Sequence, residues 1–348
     1  MTKTFDKIKL KYNLLLHPVK KSNEKISLNN NSKLLILCFD QIEYTFASTS
    51  LIKIIKKETG CEIDVLTTPG NDLVFKNNPN VNNIILFSES KNFLNKLNGN
   101  KYNILINTQF ENNKIIENII LQLDIENKIS FRKKNSEFYT HVVNRKKHLH
   151  ILDEILLLTN PFDFPFTKKE IKIDYNGEIS ARSFVVDFII KNKIDTNKPL
   201  IGINISSEND NFWGIDRYKK LIKYLSNYDV NVIILRHPID KEKAEQVYRS
   251  NSIIFNNNHY NEFAAIILEL DFLFTPDSSA VQIASGKEIP MFILYLNKEM
   301  AKRWCPYSSD YECVIADAEN YLKLSYGNVL NSFIPFFENF YNKFYDNK

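Results

Sequence analysis

Glycine is scarce in this chain, at eight of 348 residues. No Gly-x-Gly-x-x-Gly run follows an apolar segment, which argues against a dinucleotide-cofactor site. The four cysteines, Cys38, Cys61, Cys305 and Cys313, have neither CxxC spacing nor neighbouring histidines. That argues against both a zinc site and a disulfide scaffold. No apolar run approaches the ~18 residues that span a bilayer. No signal peptide is evident, so the cytoplasm is the expected compartment. Single-strand binders interleave aromatic and basic residues, and no such repeat occurs here. A formal charge of +4 favours anionic partners without demanding nucleic acid, and none is expected.

The chain is 44% hydrophobic and 25% charged, a globular composition, and its length suits two cores better than one. Short apolar runs alternate with stretches of helical period. Strands are expected at Leu34–Phe39, Ile63–Leu66, Ile84–Phe87 and Ile104–Ile106, with a helix at Ala47–Lys57. Phe138–Leu158 reads as mostly helical. Thr159–Asp174, with Pro161 and Pro165, is the least regular stretch and the expected hinge. A second series follows, with strands at Leu200–Asn204, Val230–Leu235, Asp271–Thr275 and Met291–Tyr295. Helices are expected near Ser180–Lys191, at Ile215–Leu225, from Asp240, at Glu262–Leu268 and at Ser279–Ala284. Alternation of this kind implies βαβ units and parallel sheets. The aromatic-rich Ser332–Tyr345 should be a closing helix.

The segment Phe274-Thr-Pro-Asp277-Ser278-Ser279-Ala-Val-Gln282 carries the most information. It joins an apolar strand to a helix through a turn of small residues. Such a turn presents free backbone N–H groups, a ready anion site, and Asp277 lies at the carboxyl end of the strand, where open α/β sheets hold ligands. The alternative for Asp277 is a simple helix cap.

This segment resembles the nucleotide-sugar motif of glycosyltransferase family 9, the ADP-heptose:lipopolysaccharide heptosyltransferases. Other segments resemble the family in the same order. KLLILCFDQIEYTFASTSL (33–51) is similar to its first strand and loop, and EIDVLTTPGNDLVFKNNPNVNNIILF (62–87) to its second and third strands with their turn. Tyr102–Gln109 is similar to its fourth strand, and IGINISSENDNFWGIDRY (201–218) to the opening of its second domain. The resemblance implies the GT-B fold, two Rossmann-like domains facing across a cleft. Residues 33–172 would form the acceptor domain, 173–330 the nucleotide-sugar domain and 331–348 the closing helix.

It also implies a metal-independent, inverting transfer of heptose or a hexose-type sugar from a nucleotide-sugar donor. The acceptor would be a lipid-linked glycan, such as a lipopolysaccharide or lipooligosaccharide core or another surface glycan. No cofactor or metal is expected, because helix N-termini and basic side chains hold the phosphates. Ser206 and Ser207 match positions that contact the donor phosphates. Asp240, just after Arg236-His237-Pro238, matches an acid near the nucleoside, with a helix cap as the alternative role. Asp277, Ser278, Ser279 and Arg236 complete the expected donor set. Trp304-Cys305-Pro306 matches a Trp-x-Pro element, where packing is the expected role of Trp304.

The chain departs from the family at three places. Glu43-Tyr44 stands where the family has Gly-Asp, whose Asp is its presumed base. Asn211 replaces a Lys before Trp213, and Gln282 replaces a His. Tyrosine, with an ordinary pKa near ~10, is a poor base at neutral pH. Two carboxylates remain in that loop, Glu43 and Asp40, and Glu43 is slightly favoured as base because its longer side chain can reach the vacated point. No basic residue lies between Leu34 and Leu51, so a cation that lowers the Tyr44 pKa would have to approach from the second domain. Arg217, Arg236, Lys302 and Arg303 are candidates to replace the missing Lys charge, with a solvated surface cation as the alternative for each. Three functions stay open: an active transferase, a catalytically degenerate relative that binds a nucleotide, glycan or partner, and a nucleotide-sugar epimerase, which no motif supports.

Residues 1–32 differ in character. The first 21 set Phe5, Ile8, Leu10 and Tyr12 among six lysines with Asp6 the only acid. A basic, apolar-faced segment can lie on the cytoplasmic face of an anionic inner membrane as a peripheral contact. The alternative is a helix packed on the first domain. Ser22–Ser32 reads as a polar connector.

Overall fold

The computed structural model describes residues 19–90, 92–206 and 212–346. The membrane reading of the amino terminus falls mainly on residues 1–18, outside them, as do Ser207 and Asn211. Two compact units divide between Asp174 and Tyr175. Among the described residues no helix is long and apolar enough to cross a membrane.

The first unit holds one six-stranded sheet, built from β1 (Lys33–Cys38), β2 (Glu62–Thr67), β3 (Asn83–Leu86), β4 (Ile104–Asn107), β5 (Asn127–Phe131) and β6 (His141–Val143) in the order β3-β2-β1-β4-β5-β6. All pairs are parallel, with Ile36 opposite Val65 on one side and Ile106 on the other. Leu34 to Leu37 are fully buried, because a central parallel strand is covered on both faces. Leu35, Leu37 and Leu105 pack with Ile116, Ile119 and Ile120 of the helix Lys114–Gln122.

The second unit repeats the plan with β7 (Leu200–Asn204), β8 (Asn231–Leu235), β9 (Ile253–Ile254), β10 (Phe272–Pro276), β11 (Met291–Tyr295) and β12 (Tyr311–Ile315), in the order β12-β11-β10-β7-β8-β9. Its pairs are also parallel. The closing helix runs Tyr326–Asp346, longer than expected. Phe333 and Phe337 are fully buried in the second core with Trp213, Tyr218, Phe272 and Phe274. Phe333 meets Phe274 and Phe292 edge-on, at ring-centre distances of 5.8 and 5.3 Å.

In each sheet the chain moves outward from its first strand, then returns to the other side of it. The reversal falls between β1 and β4 in one sheet and between β7 and β10 in the other. Loops leaving adjacent strands in opposite directions open a crevice at that point, and open α/β sheets bind their ligands there.

Two expectations need correction. Phe138–Leu158 is not mostly helical. It contains β6, and its only α-helix is Ile151–Leu156, followed by a 3-10 turn at Leu157–Thr159. Val142 and Val143 of this stretch lie in a strand opposite Ser130 and Phe131, positions that helical spacing mimics. The first helix begins at Ile42 rather than Ala47, so Glu43 sits in a helical first turn and not in a loop. The connector before β1 is tied down at several points. Ser22 N–H donates to Thr140 O at 3.0 Å, Ile26 N–H to Pro161 O at 2.8 Å, and Lys21 Nζ to Tyr139 O at 2.7 Å.

Candidate functional site

At the switch point of the second sheet, Ile203 of β7 lies opposite Phe274 of β10, so the loops after both strands start side by side. Asn204 joins them. Its Nδ2 donates to Thr275 Oγ1 at 2.9 Å and to Ser278 Oγ at 3.4 Å, while its Oδ1 accepts the Ser206 N–H at 3.1 Å. Ser206 then reaches the next strand end. Its Oγ accepts the His237 N–H and donates to Asp240 Oδ2, both at 2.6 Å. The other Asp240 oxygen pairs with Lys243 Nζ at 2.9 Å. Asp240 closes a 3-10 turn, Pro238–Asp240, and is 8% exposed. Arg236 is 5% exposed, and its guanidinium donates to His237 O, Pro238 O and Asn256 Oδ1. Thus Ser206, Arg236 and Asp240 form one hydrogen-bonded group, with Ser278 linked through Asn204.

The cap of the helix Ser279–Gly286 is Ser278, not Asp277. The Ser278 side chain caps none of the helix N–H groups; its Oγ donates to Pro276 O at 3.2 Å instead. The helix start therefore keeps the donor groups an anion uses. Asp277 N–H bonds Leu294 O at 2.9 Å, continuing the ladder to β11. Burial, with the Asp277 charge adding to it, raises the Tyr295 hydroxyl well above its ordinary value. Ser279 Oγ accepts from Tyr260 OH at 2.6 Å. Gln282, in place of the expected His, is 2% exposed and donates to Trp304 O at 3.2 Å.

At the switch point of the first sheet, Asp40 follows β1 and accepts the Phe110 N–H from the end of β4 at 3.2 Å. Burial pushes its carboxyl up from the ordinary range, opposed by the Phe110 N–H, the Lys133 charge, the Gln109 side chain and the Arg145 charge. The cations come from the same unit, two residues past β5 and β6, and neither was expected from the sequence. Arg145 lies over the Phe110 ring at 4.2 Å and bonds the buried Glu154 at 3.1 Å. Tyr44 also packs on Phe110, with ring centres 5.1 Å apart. Glu43 sits in the first turn of the helix Ile42–Thr59, where free N–H groups stabilise negative charge. The two expected carboxylates, both half-buried, thus occupy different settings, Asp40 at the strand end and Glu43 on the helix. Among the described residues no group of three or more His, Cys, Asp or Glu is placed to hold a metal ion.

The family model of glycosyltransferase family 9 (heptosyltransferase) matches residues 91–333. The chain belongs to this family. The family 9 chain superposes on three solved structures over nearly its whole length. One is a glycosyl transferase family 9 protein from Veillonella parvula DSM 2008, at 14% identity and a TM-score of 0.78, covering 91% of this chain and 100% of that one. Another is the E. coli ADP-heptose lipopolysaccharide heptosyltransferase II, at 14% identity, a TM-score of 0.71 and coverage of 88% and 99%. The third is an E. coli heptosyltransferase with ADP, at 14% identity, a TM-score of 0.69 and the same coverage. These likenesses establish the GT-B fold of two Rossmann-like domains. No curated protein matches the family 9 chain.

Proposed function

We propose that this family 9 glycosyltransferase moves a sugar from a nucleotide-sugar donor to a lipid-linked glycan acceptor, with inversion and without a metal. The observation that carries the reading is the linked group at the second switch point, where hydrogen bonds join Ser206 to Asp240 directly and to Ser278 through Asn204, and Arg236 joins through the His237 carbonyl, which also accepts the Asp240 N–H. The donor diphosphate lies at the start of the helix Ser279–Gly286, against Ser278, Ser279 and Asp277. The helix N–H groups and Arg236 offset the charge that develops on the leaving group. Asp240 receives the ribose hydroxyls. An E. coli structure similar in fold was solved with ADP-2-deoxy-2-fluoro heptose, which makes an ADP-sugar the first donor to try.

Asp40 is the base. It removes the proton of the acceptor hydroxyl as that oxygen attacks the anomeric carbon. The bond from that carbon to the diphosphate oxygen breaks, and its electron pair leaves with the nucleotide. Glu43 is the second carboxylate to test. A lipopolysaccharide-type core fits as acceptor, which places the work at the cytoplasmic face of the inner membrane. One observation favours a second reading, a binding protein without turnover: Tyr44, at the family's base position, packs its ring on Phe110. A thermal-shift screen against ADP-, UDP-, GDP- and CMP-sugars, followed by single-turnover transfer with the donor that binds, separates the two. Stabilisation by a donor supports a site, and transfer supports the enzyme. Binding without transfer to any core oligosaccharide supports the second reading.

A further inference from the structure

Four neighbouring strands of the first sheet, β1, β4, β5 and β6, each carry a polar side chain two residues past their ends: Asp40, Gln109, Lys133 and Arg145. One peptide group connects the first three. The Gln109 carbonyl accepts from Lys133 Nζ at 3.2 Å, and the Phe110 N–H of that same peptide donates to Asp40 Oδ2 at 3.2 Å. A trans peptide directs its C=O and N–H to opposite sides, so the ammonium and the carboxylate sit at the two ends of one dipole. A cation on the carbonyl polarises the amide and strengthens the bond its N–H gives. The Lys133 ammonium also lies 5.3 Å from the Tyr139 ring centre. Burial lowers it to about 8, against the opposing charges of Asp40, Glu117 and Glu111 and with Arg145 adding to the fall. Asp40 feels Lys133 and Arg145 as its cations. Arg145 is already paired with Glu154 and Glu111, which leaves Lys133 as the cation coupled to Asp40 through a shared peptide.

We infer that Lys133 is a positioning residue for the Asp40 base, holding that carboxylate oriented and ionised through the Gln109–Phe110 peptide. The inference rests on the reading of Asp40 as base, but its test does not. The full chain is labelled with carboxyl-13C aspartate, and the Asp40 signal is assigned by its loss in Asp40→Asn. The expected result is an upward move of the Asp40 titration midpoint in Lys133→Met, by about one pH unit for loss of a nearby opposite charge. Lys133→Arg should restore it. The wild-type Asp40 carbon should also show a second inflection near pH 8, as Lys133 loses its proton, and Lys133→Met should abolish it. In transfer, the acid limb of the pH profile should move by the same amount, whereas a merely structural role would lower the rate at every pH. Lys133→Gln serves where Lys133→Met does not fold. An unmoved midpoint in a folded, charge-free Lys133 variant overturns the inference. A moved midpoint together with full transfer by Asp40→Asn upholds the coupling and removes Asp40 as base.

Discussion

The Ser206 hydroxyl donates to the Asp240 carboxylate at 2.6 Å while accepting the His237 N–H at the same distance. One hydroxyl thus fixes the carboxylate and clamps the end of β7 to the end of β8. A hydrogen bond to a charged group contributes roughly 1.5–3 kcal/mol. Ser206→Ala and Asp240→Asn should therefore each weaken nucleotide binding by about tenfold to a hundredfold. Calorimetric titration with the donor found by screening measures this, and unchanged affinity in both variants would remove the ribose assignment.

The second prediction concerns the phosphate end. The double substitution Asp277→Ala with Ser278→Ala should abolish nucleotide binding and leave the fold intact. Ser278 Oγ bonds a carbonyl at 3.2 Å without capping the helix, so little stability rests on it. Circular dichroism checks the fold. Retained affinity in a folded double variant would move the phosphates elsewhere.

The third concerns the base. Asp40→Asn should lower single-turnover transfer by about 10²–10⁴-fold, the usual contribution of a general base. Glu43→Gln and Tyr44→Phe should retain most of it. The sign of the pH dependence follows from burial, which raises the Asp40 carboxyl. A base must be ionised, so transfer should fall on the acid side, with its limb above the ordinary carboxylate range. Loss of transfer in Tyr44→Phe alone, with both carboxylate variants active, would reverse the assignment.

The fourth is a stability prediction beside the donor site. Gly202 is the centre of β7, and a Cβ there would clash with Leu270 Cδ1 and stand 3.2 Å from Leu235 Cδ1. Leu270 is 5% exposed and cannot turn away freely. Overpacking of this kind costs about 1–3 kcal/mol, so Gly202→Ala should lower the denaturant midpoint. Adding Leu270→Ala should change stability non-additively, because the clash is removed. Simple additivity of the two losses would show that the strand shifts instead.

The central strands were legible because burial on both faces writes them as unbroken apolar runs, as in Leu34–Cys38 and Met291–Tyr295. The strand-turn-helix at Asp277–Ser279 was legible because its turn chemistry is local. β5 and β6 were not: Asn127–Phe131 includes Lys128 and Ser130, and His141–Val143 is three residues long. With them Lys133 and Arg145 were missed, since their meaning depends on which strand they follow.

The sequence by itself determined the alternation of strand and helix, the two-unit plan and the kinship with family 9, because each rests on local pattern and order along the chain. The tertiary structure alone decided which strand ends are neighbours. That adjacency sets Asp240 on Ser206 from 34 positions away and brings the Gln109–Phe110 peptide between Asp40 and Lys133. It also sets Asp40 on the Phe110 N–H while Glu43, three residues on, stands in a helical turn. The physical reason is that strand order in a parallel sheet is set by crossover packing between distant segments, and the environment of a charge is made by whatever those segments bring to it.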